Sequence, residues 1–139
     1  MSPQAPKAFG YSGTPLVRKL GIKEGARLHF AAAPKNFRSL LGPLPKTRAV
    51  SDGGTLDFAI LFAKSLADLA NQFPALRDRL ESNGMLWVSW PKRTSGVQTD
   101  LTEGIVRDYG LGAGLVDVKV CAIDDTWSGL KFVRRLKDR

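Results

Sequence analysis

The sequence predicts a three-layer α/β sandwich, a mostly parallel sheet held between helices and ending in a C-terminal antiparallel hairpin. Three observations predict it. Asp57 to Ala63 (DFAILFA) is a continuous apolar run, the pattern of a strand buried on both faces. Met85 to Trp90 (MLWVSW) is a second such run, and a stretch of helical period lies between the two, as in a crossover joining parallel strands. Gly114 to Val133 then reads as two alternating strands. Asp124, Asp125, Ser128 and Gly129 between them favour a turn, so the pair is a hairpin.

A chain of 139 residues buries roughly two thirds of its unfolded surface without staples. Residues 1–10, with Pro3 and Pro6 and little periodicity, are expected to be a flexible arm; 11–135 form a single α/β domain, and 136–139 a basic tail. One cysteine, Cys121, excludes an internal disulfide, and the N-terminus lacks an apolar run of signal-peptide type. These point to the cytoplasm. No apolar stretch approaches the ~20 residues of a membrane span, so no membrane partner is expected.

Taking the elements in order, Thr14 and Pro15 suit a helix start, and Leu16, Val17 and Leu20 share a face until Gly21 stops the turn. Arg18 and Lys19 point away from that face. They read as solvent charges, with phosphate binding as the alternative. Arg27 to Ala33 is the first strand, Lys35 to Leu41 a brief helical turn, and Thr47 to Asp52 a short second strand. After the central strand, Ser65 and Asp68 give a capping pair for a helix carrying Leu66, Leu69, Ala70 and Phe73, with a restart at Pro74 and a stop at Asn83-Gly84. Asp100 and Glu103 signal a last helix through Ile105, Val106 and Tyr109. Trp87 and Trp90, three apart on a regular strand, face opposite sides of the sheet.

Chemistry-bearing residues are sparse. His29 is the only histidine and has no ligand-spaced Cys, Asp or Glu beside it, so it reads as structural. Cys121 has no evident base, and Asp124 and Asp125 read as turn residues. Neither nucleophilic catalysis nor metal binding is indicated. The net charge of +8 is half accounted for by residues 131–139, where five cations face one acid. Nucleic acid is therefore a possible partner but not a favoured one, since binding requires the basic residues to converge on one face.

Four blocks carry a resemblance: GYSGTPLVRKLGIK at Gly10 to Lys23, LWVSWPK at Leu86 to Lys92, TDLTE at Thr99 to Glu103, and GLVDVKVCAIDDTWSGLKFVRR at Gly114 to Arg135. They resemble a small bacterial domain family of unknown function, which implies no activity. The chain is more weakly similar to the Rossmann-like class I methyltransferases. That similarity implies a strand order of 2-1-3-4-6-5, with Asp57 to Ala63 leading to the active site. Such folds follow the first strand with a glycine-rich turn that lets backbone amides close on the cofactor. Here the turn is Ala31-Ala32-Ala33-Pro34-Lys35-Asn36, without glycine, and Pro34 has no amide to donate. No cofactor is expected on that ground.

In open α/β sheets ligands lie beyond the carboxyl ends of the strands. This gathers Lys35 and Asn36 after the first strand, Asp52 after the second, and Trp90, Lys92, Arg93, Thr94 and Ser95 after the fourth as candidate ligand contacts. Cationic groups, hydroxyls and an indole face suit an anionic or aromatic small molecule. The preferred reading is a noncatalytic ligand-binding or protein-interaction module. The alternatives are a methyltransferase-related enzyme with an altered cofactor pocket and a basic nucleic-acid-binding domain.

Overall fold

The computed structural model describes residues 14–51 and 53–139. Strands β1 (Arg27–Ala31), β2 (Arg48–Ala49), β3 (Leu56–Phe62), β4 (Leu80–Pro91), β5 (Leu115–Ala122) and β6 (Trp127–Arg134) form one sheet, in the order β2-β1-β3-β4-β6-β5. The first four run parallel; β6 is antiparallel to both β4 and β5. This is the Rossmann-like frame expected from the sequence, with the same strand order. The arm expected at 1–10 and the start of the GYSGTPL block lie outside the described residues.

Helices cover both faces: α1 (Leu16–Leu20) and α2 (Phe37–Leu41) on one, α3 (Leu66–Arg79) and α4 (Glu103–Gly112) on the other. The apolar run of β3 is buried on both sides, sending Phe58, Ile60 and Phe62 under α1 and α2 and Ala59, Leu61 and Ala63 under α3 and α4. Each large side chain so buried stabilises the fold by about 1.5–3 kcal/mol. Trp87 joins the α1 side, where its indole N–H donates to the Leu20 carbonyl at 2.9 Å, and Trp90 joins the α3 side.

Long-range contacts set the element ends that differ from expectation. Helix α3 runs through Pro74 without a break and stops at Arg79, not at Asn83-Gly84. Arg134 of β6 donates to the carbonyls of Arg77 (2.8 Å) and Leu80 (2.9 Å), satisfying helix-end acceptors from a distant strand. Residues 81–84 instead form a shift in register between β3 and β4. A similar shift in β5, between Asp117 and Lys119, breaks the expected alternation: Cys121 is buried while Val118 and Val120 are 52% and 45% exposed. At the amino ends of the strands Arg27 grips Asp57 through two 2.9 Å bonds to different carboxylate oxygens. That leaves the carboxyl edge open.

Candidate functional site

Strand β1 has β2 on one side and β3 on the other, so the chain's direction of travel through the sheet reverses between β1 and β3. A crevice of about 260 Å³ opens at this point, lined by Ala32, Pro34, Phe62, Lys64, Asp68 and Trp127. Its first wall is the turn after β1. Ala32 sits there at φ 57°, the left-handed conformation that side chains disfavour and glycine accepts, and no other described non-glycine residue has positive φ. Pro34 then accepts from the Phe37 amide (3.0 Å) to start the single turn of α2.

The opposite wall is aromatic. The Phe62 and Trp127 rings meet edge to face at 5.1 Å, and Phe37 continues the row at 5.0 Å from Phe62. Asp124 fixes Trp127 in place: one of its carboxylate oxygens accepts from the amides of Thr126 and Trp127, both at 2.8 Å. Exposed Lys64 and Asp68 supply one charge of each sign at the rim, and Ser65 between them caps α3 by accepting from the Asp68 amide at 3.0 Å.

Lys64 also borders a neighbouring cleft of about 400 Å³ with Ser65, Gln98, Thr99 and Asp100. Asp100 was expected to start α4. It accepts instead from the Leu66 amide at 2.8 Å, at the start of α3, while Thr102 caps α4 by accepting from Ile105. Arg93 lies further along, in a third cleft that shares Gln98 to Asp100.

The sequence-predicted contacts fall into separate places. Lys35 and Asn36 are exposed beside the turn after β1. Trp90 is buried in the α3 side of the core. Ser95 folds onto its own turn, its hydroxyl donating to the Lys92 carbonyl at 2.7 Å, while the Lys92 amide donates to Thr126. Arg93 and Thr94 are exposed. Asp52 lies outside the described residues. Because β3 separates β1 from β4, the two groups stand about two strand spacings, ~10 Å, apart. Phe62, Lys64 and Asp68, which line the crevice, were not among the contacts expected from the sequence. The rule that ligands lie past strand carboxyl ends, applied to the central strand as to its neighbours, would have found Lys64.

His29 lies within β1, where burial, then the charge of Arg79, pushes its imidazole down, while the carbonyl of Val50 opposes the shift. Among the described residues no cluster of metal-ligating side chains occurs, and no helix is long and apolar enough to cross a membrane.

No protein-family model and no curated protein matches the chain, so the resemblance to the small bacterial family rests on the motif blocks alone. Solved structures do match in fold. A SAM-dependent methyltransferase from Aquifex aeolicus superimposes with a TM-score of 0.58 at 14% identity, covering 84% of this chain and 86% of its own. A TehB-like SAM-dependent methyltransferase from Corynebacterium glutamicum gives 0.56 at 10%, covering 91% and 90%. Magnesium protoporphyrin IX methyltransferase from Synechocystis, solved with bound SAH, gives 0.56 at 12%, covering 86% and 78%.

The fold is thus that of the class I methyltransferases. This corrects two expectations, a noncatalytic module and the absence of a cofactor, because the frame shared here carries SAM or SAH in solved neighbours. Both expectations rested on the missing glycine. The turn reaches the left-handed conformation without one, using the smallest side chain that has a Cβ.

Proposed function

We propose that the chain is a methyltransferase-related enzyme with an altered cofactor pocket, taking S-adenosylmethionine in the crevice between β1 and β3. Ala32 carries this reading. Holding a residue with a Cβ in the left-handed region costs about 1–2 kcal/mol, and strain of this kind persists where a site has use for the shape. Here it lies at the turn that would close on the cofactor.

The lining fits the group. When bound, S-adenosylmethionine supplies an electrophilic methyl on a sulfonium sulfur. Lys64 and Asp68 complement the carboxylate and ammonium of its amino-acid end. Phe62 and Trp127 present ring surface that attracts a cation and excludes water. The crevice, about 260 Å³, is just below the ~300 Å³ at which small-molecule sites begin. The ligand therefore extends past Lys64 toward the neighbouring cleft, and the methyl acceptor enters from the side of Gln98 to Asp100. Pro34 removes one amide donor, which is the alteration. Lys35 and Asn36 flank the crevice, and Arg93 borders the acceptor side. Membership in the small bacterial family, a single domain over 11–135 and a cytoplasmic location belong to the same reading.

Calorimetry with SAH tests it. Binding is expected, weakened about tenfold by Lys64→Gln and by Asp68→Asn, a loss of ~1.4 kcal/mol each. Absence of binding at about 1 mM SAH with folded protein, by calorimetry at two temperatures, would overturn it, since that concentration stands at the top of the ~1 μM to 1 mM range in which working sites operate.

A further inference from the structure

A second concave surface, away from the crevice, gathers positive charge. Thr14, Arg18, Lys19, Lys119, Val120, Cys121 and Ala122 line a cleft of about 490 Å³ between α1 and the outer strand β5. The register shift in β5 turns Lys119 toward α1, where its ammonium donates to the Lys19 carbonyl at 3.0 Å. Lys131 is paired opposite Lys119 on β6, and its ammonium lies 4.0 Å from the point where a side chain on Gly21 would begin. Burial, then Lys119 and Lys23, push the Lys131 ammonium down. Arg18 and Lys19 of α1, Lys23 of the segment after it, Lys119 of β5 and Lys131 of β6 thus converge.

None of the five forms an ion pair among the described residues; the pairs present use Arg27, Arg77 and Arg107. The first thirteen residues, whose chain leads into α1, contain no Asp or Glu. Solvated surface lysines ordinarily spread away from one another. Here Lys119 is tied to the Lys19 carbonyl and Lys131 is half-buried, so the like charges are held together by the fold at a cost that a bound anion would offset.

We propose that this α1–β5–β6 face is a binding site for phosphate groups, distinct from the crevice and sharing no residue with it. Phosphate fits better than a lone carboxylate: several point charges and the planar fork of Arg18 match a compact group with three acceptor oxygens and up to two charges. The phosphate comes either from a soluble polyphosphate or from a nucleic-acid backbone.

The test uses the full chain, with pyrophosphate followed by calorimetry and a fluorescein-labelled DNA duplex followed by anisotropy at about 50 and 200 mM salt. Binding of at least one probe is expected. Lys19→Gln with Lys119→Gln should weaken it at least about tenfold, while Lys46→Gln with Arg48→Gln, which removes equal charge elsewhere, should leave it within about twofold. Melting curves establish that both variants are folded. Duplex affinity falling about 100-fold between the two salts, the value for roughly four phosphate contacts, assigns the backbone as source; pyrophosphate binding alone assigns a soluble ligand. Binding of neither probe at about 5 mM pyrophosphate or 100 μM duplex overturns the proposal, since nonspecific binding alone reaches that range. So does equal weakening by the two double variants.

Discussion

Replacing Ala32 by glycine should stabilise the protein, and replacing it by valine should do the reverse. At φ 57° the alanine Cβ crowds the backbone, and its removal returns about 1–2 kcal/mol. Glycine gives part of that back, about 0.5–1 kcal/mol, through the greater freedom of the unfolded chain. The net gain is about 0.5–1 kcal/mol. For 139 residues the unfolding entropy is ~0.3 kcal/mol per kelvin, so Tm should rise by about 2–3 °C. Valine adds two methyls in a conformation that branched side chains avoid and should lower Tm by about 3–7 °C. Circular dichroism melts measure both, and SAH binding should survive in Ala32→Gly and weaken in Ala32→Val. A fall in Tm with glycine and none with valine would show that the turn is not left-handed, and the argument for the cofactor turn would go with it.

Other variants test the frame around the site. Gly110→Ala drives a methyl into the Phe132 ring and should cost about 1–3 kcal/mol; combining it with Phe132→Leu should cost less than the sum of the two, as a double-mutant cycle of melts would show. Trp87→Phe strands the buried Leu20 carbonyl and should lower stability by about 1–3 kcal/mol in urea titration. Arg27 holds the Asp57 carboxyl below the usual carboxylate value, first by hydrogen bonding, so the pair contributes stability above the unfolded pKa that is lost as pH falls through the lower native one. Melts between about pH 6 and 2 should therefore show a steeper acid loss in the native chain than in Asp57→Asn; parallel curves would contradict the pairing.

The sheet was legible because its signals are local and strong. DFAILFA has no polar face to offer solvent, so it had to be central; the hairpin announced itself through alternation and Asp124-Asp125, and Asp124 does shape the turn at Trp127. Helix ends were less legible, since Arg134 closes α3 from another strand and Asp100 accepts from Leu66 rather than starting its own helix. The alternation of β5 failed for a related reason: a register shift leaves no mark in residue type, and it exposed Val118 and Val120 while burying Cys121. The site was the least legible part. Composition gave the turn after β1 as AAAPKN and argued against a cofactor, whereas backbone conformation, invisible in composition, gave Ala32 a glycine-like geometry. Lys64 and Asp68 look like ordinary helix-start residues until the crevice brings them beside Trp127.

The most direct measurement is a titration of isotope-labelled protein with SAH, followed by amide and indole NMR shifts. The predicted result is a set of saturable shifts centred on the turn from Ala32 to Asn36, the segment from Lys64 to Asp68 and the Trp127 indole, with smaller ones at Gln98 to Asp100. Shifts centred instead on Lys19 and Lys119, or none with ligand in large excess, would contradict the assignment of the crevice as a cofactor site.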